Sequence, residues 1–79
     1  MNDLKAIADE ERRIRELRRT VDLALFYISV GPLDLQEAVT LVEEVKAKVL
    51  RLFPGKEETF ELIYRPRFRR VLASRFGLH

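Results

Sequence analysis

The stretch SVGPLDLQE, at residues 29–37, ends one predicted helix and begins the next. Gly31 stands where a helix C-terminus favours a left-handed residue, and Pro32 cannot continue the helical ladder of hydrogen bonds. Asp34 and Glu37 have the spacing of a capping box, in which each side chain accepts a hydrogen bond from the other residue's backbone N–H. The stretch therefore predicts a tight turn between two helices.

The segment before this turn predicts a long first helix over about residues 3–29. Asn2 or Asp3 can cap it, because a short polar side chain accepts hydrogen bonds from the free N–H groups of the first turn. On the polar face, Asp9 and Arg13 are four positions apart and can form an ion pair. Apolar residues at helical spacing along the segment predict its buried face. They are Ile7, Ile14, Leu17, Val21, Leu25 and Ile28.

The segment after the turn predicts a second helix over about residues 35–53. It ends before Pro54, because a proline disfavours helical geometry in the residue that precedes it. At ~1.5 Å per residue, the first helix spans ~39 Å and the second spans ~29 Å. The N-terminal end of the first helix, with Leu4 and Ile7, is therefore expected to overhang the bundle unless another chain covers it.

After a second turn at residues 54–55, a third helix is predicted over about residues 57–76. Pro66 lacks the N–H that would bond to the Leu62 carbonyl, and its ring clashes with the preceding turn, so this helix should be kinked or broken at Pro66. Arg75 lies within the apolar stripe of this helix, where we expect its charged end to reach water. The stripe consists of Phe60, Ile63, Tyr64, Phe68, Val71, Leu72 and Phe76.

Because both connections are short, consecutive helices should lie side by side and antiparallel. The predicted fold class is all-α, an antiparallel up-down-up three-helix bundle, and residues 1–79 form a single helical domain. A core of this size supplies only ~3–5 kcal/mol of net stability. The chain has no cysteine, so disulfides cannot add to that value. Self-association is one of the remaining ways to raise the stability.

The residue types argue against catalysis and metal binding. Nucleophilic catalysis needs a Ser, Thr or Cys beside a base, whereas the only histidine, His79, is the last residue, and chain ends are usually loose. Glu57, Glu58 and Glu61 resemble a carboxylate cluster, yet acids at a helix start complement the helix dipole, and Glu61 can pair with Arg65. A bundle this small also leaves little room for a ligand cavity of ~300 Å³. We therefore expect no enzyme activity, cofactor or metal.

The chain has 15 basic and 13 acidic residues, and none of its segments has the pattern of a targeting or membrane sequence. The first ten residues, MNDLKAIADE, are polar and acidic, unlike a signal peptide. The longest uncharged run, residues 23–33, is shorter than the ~20 apolar residues that span a bilayer. We therefore expect a cytoplasmic protein without a membrane segment.

A second apolar stripe occurs at the end of the first helix. Leu23, Phe26 and Val30 recur at helical spacing and point almost opposite to the predicted core face, with Tyr27 between the two faces. A peripheral helix of a three-helix bundle meets its neighbours on one side only, so this stripe has no partner there. We therefore predict contact between copies of the chain, with a dimer favoured. The alternatives are a different protein partner, or the third helix wrapping over the stripe after bending at Pro66.

Positive charge is concentrated at the C-terminal end, where residues 65–79 contain five arginines and no acid. The candidates for contacts with nucleic-acid phosphates are Arg65, Arg67, Arg69 and Arg70. In a helix-turn-helix arrangement the third helix would be the recognition helix, but it begins with glutamates, which repel phosphates. The net charge of +2 is also far from the strongly basic charge of nucleic-acid-binding proteins.

The leading interpretation is a small, non-catalytic helical protein-interaction module that self-associates. The alternative is a nucleic-acid-associated helical protein.

Overall fold

The computed structural model of the chain describes residues 2–78 and contains three helices, with no strand among those residues. The predicted all-α three-helix bundle is confirmed, and the predicted helix bounds differ from the observed ones by no more than one residue. Helix α1 is Asn2–Val30 and helix α2 is Leu35–Leu52. The third helix, α3, consists of three consecutive segments, which are α-helical Glu57–Thr59, π-helical Phe60–Tyr64 and α-helical Arg65–Phe76. His79 lies outside the described residues.

The turn between α1 and α2 contains the predicted capping box. The Glu37 N–H donates to Asp34 Oδ1 at 2.8 Å, and the Asp34 N–H donates to Glu37 Oε1 at 3.1 Å. The prediction for Gly31 is wrong, because Gly31 is not one of the glycines with a positive φ. It is needed for a close approach instead, since an added Cβ would lie 2.5 Å from the Tyr27 carbonyl oxygen and 2.8 Å from the Tyr27 ring.

The start of α1 also differs from the prediction. The helix begins at Asn2, so Asp3 lies inside its first turn and is not the cap. Arg13 Nη1 donates to the Leu52 carbonyl at 3.2 Å, which places the end of α2 beside Arg13. The residues before Arg13 therefore extend beyond the bundle, and Leu4 and Ile7 are exposed. The predicted overhang is confirmed, whereas Ile7 does not belong to the buried face.

The molecule is correspondingly elongated. Its radius of gyration is 14.4 Å and its longest dimension is 52 Å, whereas a compact domain of this length has a radius of gyration of about 12 Å. The core is small and draws on all three helices. Its buried residues are Val21, Ala24, Ile28, Ala38, Val42, Val45, Val49, Phe60 and Phe68.

The predicted interruption of α3 at Pro66 takes the form of a π-helical segment directly upstream. The Arg65 N–H donates to the Phe60 carbonyl, five residues back, and Pro66 then lies in the first turn of the following α-helical segment. A π-helical turn contains more residues than an α-helical one, so Phe60 and Phe68 both point into the core. Ile63 was predicted in the apolar stripe, but it is exposed, because the wider turn rotates it outward.

Candidate functional site

The four residues of the predicted contact lie on one exposed surface of α1, called here the outer face. They are Leu23, Phe26, Tyr27 and Val30. The Phe26 side chain is among the most exposed, at 65 % of its full accessible area. The third helix does not cover them, so the alternative in which α3 wraps over the stripe is wrong.

The position of α1 between its two neighbours explains this exposure. One flank faces α2, where Lys48 Nζ donates to Glu16 Oε1 at 2.7 Å. The other flank faces α3, where Arg67 Nη2 lies 3.8 Å from Asp22 Oδ1. Between these flanks, the core residues of α1 point inward. The outer face is therefore directed away from both other helices.

The edge of the outer face borders two grooves between α1 and α2. Tyr27 and Leu41 line both of them. One groove, of about 480 Å³, carries the acidic residues Asp34, Glu37 and Glu44, whereas the other has a volume of about 310 Å³. Both grooves lie open on the surface and not inside the core, so they do not test the expectation that the bundle has little room for a ligand cavity of ~300 Å³.

Arg65, the first of the four candidate arginines, is engaged within the chain. Its Nε and Nη2 donate to the Glu61 carboxylate at 2.6 and 3.0 Å, which confirms the predicted pair, and its Nη1 donates to Glu43 Oε1 at 2.9 Å. The guanidinium also lies over the Phe60 ring, 5.4 Å from its centroid. Arg65 therefore joins α3 to α2 directly over the core.

The remaining candidate arginines differ among themselves. Arg67 is half-buried and faces Asp22, whereas Arg69 and Arg70 are exposed. The structure thus does not bring all four side chains together as one cationic surface. Of the four, Arg69 and Arg70 are the exposed ones that could meet an external phosphate.

Glu61 is held by two cations. Besides Arg65, Lys46 of α2 contacts this acid of α3, with Lys46 Nζ 3.0 Å from Glu61 Oε2. Hydrogen bonds from Arg65 and then from Lys46 lower the pKa of Glu61 from 4.5 to about 2. The carboxylate is therefore a link between α2 and α3 that depends on its charge.

We expect Glu61→Gln to lower the Tm at pH 7 and to have little effect at pH 2. A lowered pKa stabilises the folded state above the ordinary value of 4.5, and this contribution is lost as the pH falls towards about 2. Thermal unfolding followed by circular dichroism from pH 7 to pH 2 measures the difference. Glu44→Gln, at an exposed acid of α2, is the matched control. An equal Tm difference at both pH values would contradict the prediction.

Two arginines that the sequence did not single out as links connect the ends of the helices. Arg13 donates to the Leu52 carbonyl and lies over the Phe53 ring, 5.2 Å from its centroid. The predicted Asp9–Arg13 pair is therefore wrong, and Asp9 pairs with Arg12 at 3.3 Å instead.

Arg75 has the corresponding role at the other end of the bundle. Its Nη1 donates to the Ile28 carbonyl at 2.9 Å, and its Nη2 donates to the Gly31 carbonyl at 2.7 Å. The Ile28 carbonyl lies in the last turn of α1, where carbonyl groups have no partner within the helix, whereas the Gly31 carbonyl also accepts from the Leu33 N–H at 2.9 Å. The signal in the sequence was a charge on an apolar face. Arg75 is exposed, as expected, and its guanidinium in addition bonds two carbonyl groups at the end of α1.

Comparison of the chain with protein-family models, with curated proteins and with solved structures gave no match. Across residues 2–78, none of the helices combines the length and the apolar character needed to cross a membrane. The same residues include no group of three potential metal ligands. Any assignment of function therefore rests on the geometry of the chain.

Proposed function

We propose that the chain is a small, non-catalytic helical protein-interaction module of the cytoplasm that associates with a second copy of itself. The contact is the outer face of α1. The observation that carries this proposal is the exposure of Leu23, Phe26 and Val30 together on one surface of α1. Large apolar side chains grouped on a surface indicate an interaction site.

The energetics support a dimer of moderate affinity. Full burial of a Leu, Val or Phe side chain contributes about 1.5–3 kcal/mol relative to exposure. A two-fold axis buries each of the three residues twice. The three residues are 60–66 % exposed in the single chain, so the combined gain is about two-thirds of the full-burial value, or ~6–12 kcal/mol. This gain is comparable with the ~4–15 kcal/mol that association costs in lost freedom.

Light scattering tests the proposal directly. At tens of micromolar, the wild-type chain should have twice the monomer mass of 9.3 kDa. Phe26→Asp should have the monomer mass, because an interface of this size does not tolerate a buried unpaired carboxylate. Circular dichroism should show that this variant remains helical, since the side chain lies outside the core.

Leu62→Asp is the matched control. Leu62 lies on α3 and is 68 % exposed, close to the 65 % of Phe26, so the substitution has the same character at a different surface. It should leave the dimer mass unchanged. A monomeric wild type would overturn the proposal, and so would a Phe26→Asp variant that unfolds, because the stripe would then be part of the core.

The competing function, nucleic-acid association through the exposed Arg69 and Arg70, has a distinct signature. Binding to phosphates weakens steeply with salt, whereas an apolar contact does not. Submicromolar binding of duplex or single-stranded DNA at physiological salt by the wild type, lost in the Arg69→Glu, Arg70→Glu double variant, would replace the present proposal.

A further inference from the structure

The outer face of α1 has a regular spacing that determines how two copies fit together. Arg19, Leu23, Phe26 and Val30 are separated by four, three and four residues, and all four are exposed. This is the spacing of the contact positions of a helix that packs along another helix. We infer that the two copies of α1 pack antiparallel, about a two-fold axis midway between Leu23 and Phe26. The inference rests on the proposed self-association.

This register brings apolar side chains together at the centre. Leu23 lies opposite the partner's Phe26, and the two-fold axis repeats this layer. Val30 lies opposite the partner's Arg19, whose aliphatic stem covers it. The contact is therefore apolar at its centre and ends at each side with an arginine.

The charge of Arg19 suits the place that the register gives it. The last turn of α1 contains no basic residue, and a cation is favourable at a helix C-terminus. Arg75 bonds the Ile28 carbonyl on the inner side of this end. In the dimer, the Arg19 guanidinium of each copy approaches the C-terminal end of the partner's α1 from the outer side.

The polar residues at the edges are also compatible with this register. Thr20 lies opposite the partner's Tyr27, and Asp22 lies opposite the partner's Ser29. The Tyr27 ring is already held against Gly31, where an added Cβ would lie 2.8 Å from it. At the first edge a hydroxyl group thus faces a hydroxyl group. At the second edge the Ser29 hydroxyl donates to the Leu25 carbonyl of its own helix at 2.8 Å, and Asp22 stays exposed at the rim of the contact.

A parallel arrangement would be unfavourable for the same residues. In a parallel dimer, each residue lies at the same level as the identical residue of the partner, so Arg19 would meet the partner's Arg19. Like charges held close together are destabilising. Charge complementarity therefore selects the antiparallel arrangement, in which the overhanging ends of α1 point in opposite directions.

Distances between spin labels test the direction and the register together. The chain has no cysteine, so a nitroxide on a single introduced cysteine reports one distance per dimer. In the antiparallel register, each residue further from the axis adds ~3 Å to that distance, because each helix rises ~1.5 Å per residue. Arg15→Cys should give a separation of about 29 Å and Ala8→Cys about 50 Å by double electron–electron resonance. Both positions are exposed and lie outside the predicted contact.

Each alternative gives a different result. Equal, short separations at both positions, close to the helix spacing of ~10 Å, would indicate a parallel dimer and overturn the inference. A shorter separation at residue 8 than at residue 15 would place the contact on the overhanging end and would also overturn it. A parallel dimer would leave the proposed self-association through the outer face intact, whereas a contact on the overhanging end would overturn the outer face as the contact, and a monomer mass would overturn both the inference and the proposed function.

Discussion

Phe68→Ala is expected to remove most of the stability of this protein. The Phe68 side chain is completely buried, and its ring stacks on that of Phe60 with the centroids 6.4 Å apart. Replacing a buried Phe by Ala costs about 3–5 kcal/mol, because the transfer energy is lost and a cavity remains. The core of a domain this small supplies a net stability of about the same size.

Urea unfolding followed by circular dichroism measures this loss. The protein concentration should be the same for all variants, since association makes the apparent stability depend on it. Leu62→Ala removes an exposed side chain from the same helix and should change the free energy of unfolding by about 0.5 kcal/mol or less. If Phe68→Ala were as stable as this control, the stacked aromatic pair would not be the centre of the core.

The second large effect is expected for Arg75→Ala. This substitution removes the two hydrogen bonds to the Ile28 and Gly31 carbonyls. Hydrogen bonds to a charged group contribute about 1.5–3 kcal/mol, and the cation also complements the C-terminal dipole of α1. We therefore expect a loss of about 2 kcal/mol, measured by the same urea titration.

Two further variants sharpen this prediction. Arg75→Lys should recover only part of the loss, because an ammonium group lacks the planar fork that reaches two carbonyl groups at once. Arg69→Ala removes an exposed arginine from the same helix and should have almost no effect. Equal stability of Arg75→Ala and Arg69→Ala would show that the bonds to α1 contribute nothing.

The apolar outer face of α1 and the pairing of Glu61 with Arg65 were predictable from the sequence, since both follow from helical spacing within one helix. The wider role of Arg65 was not predictable. Its bond to Glu43 joins residues 22 positions apart, and only the packing of α3 against α2 brings them together. Arg65 was therefore a candidate for phosphate contact in the sequence, whereas in the structure it links two helices.

The sequence by itself determined the helix boundaries and the capping box, because the groups involved are neighbours along the chain. Only the tertiary structure decided the π-helical segment, the outward rotation of Ile63 and the contacts of Arg13 and Arg75 with other helices. The physical reason is that these features depend on which carbonyl or ring lies nearby after packing. Gly31 belongs with the local features, since the Tyr27 carbonyl and ring that exclude a side chain there lie only four residues back along the chain.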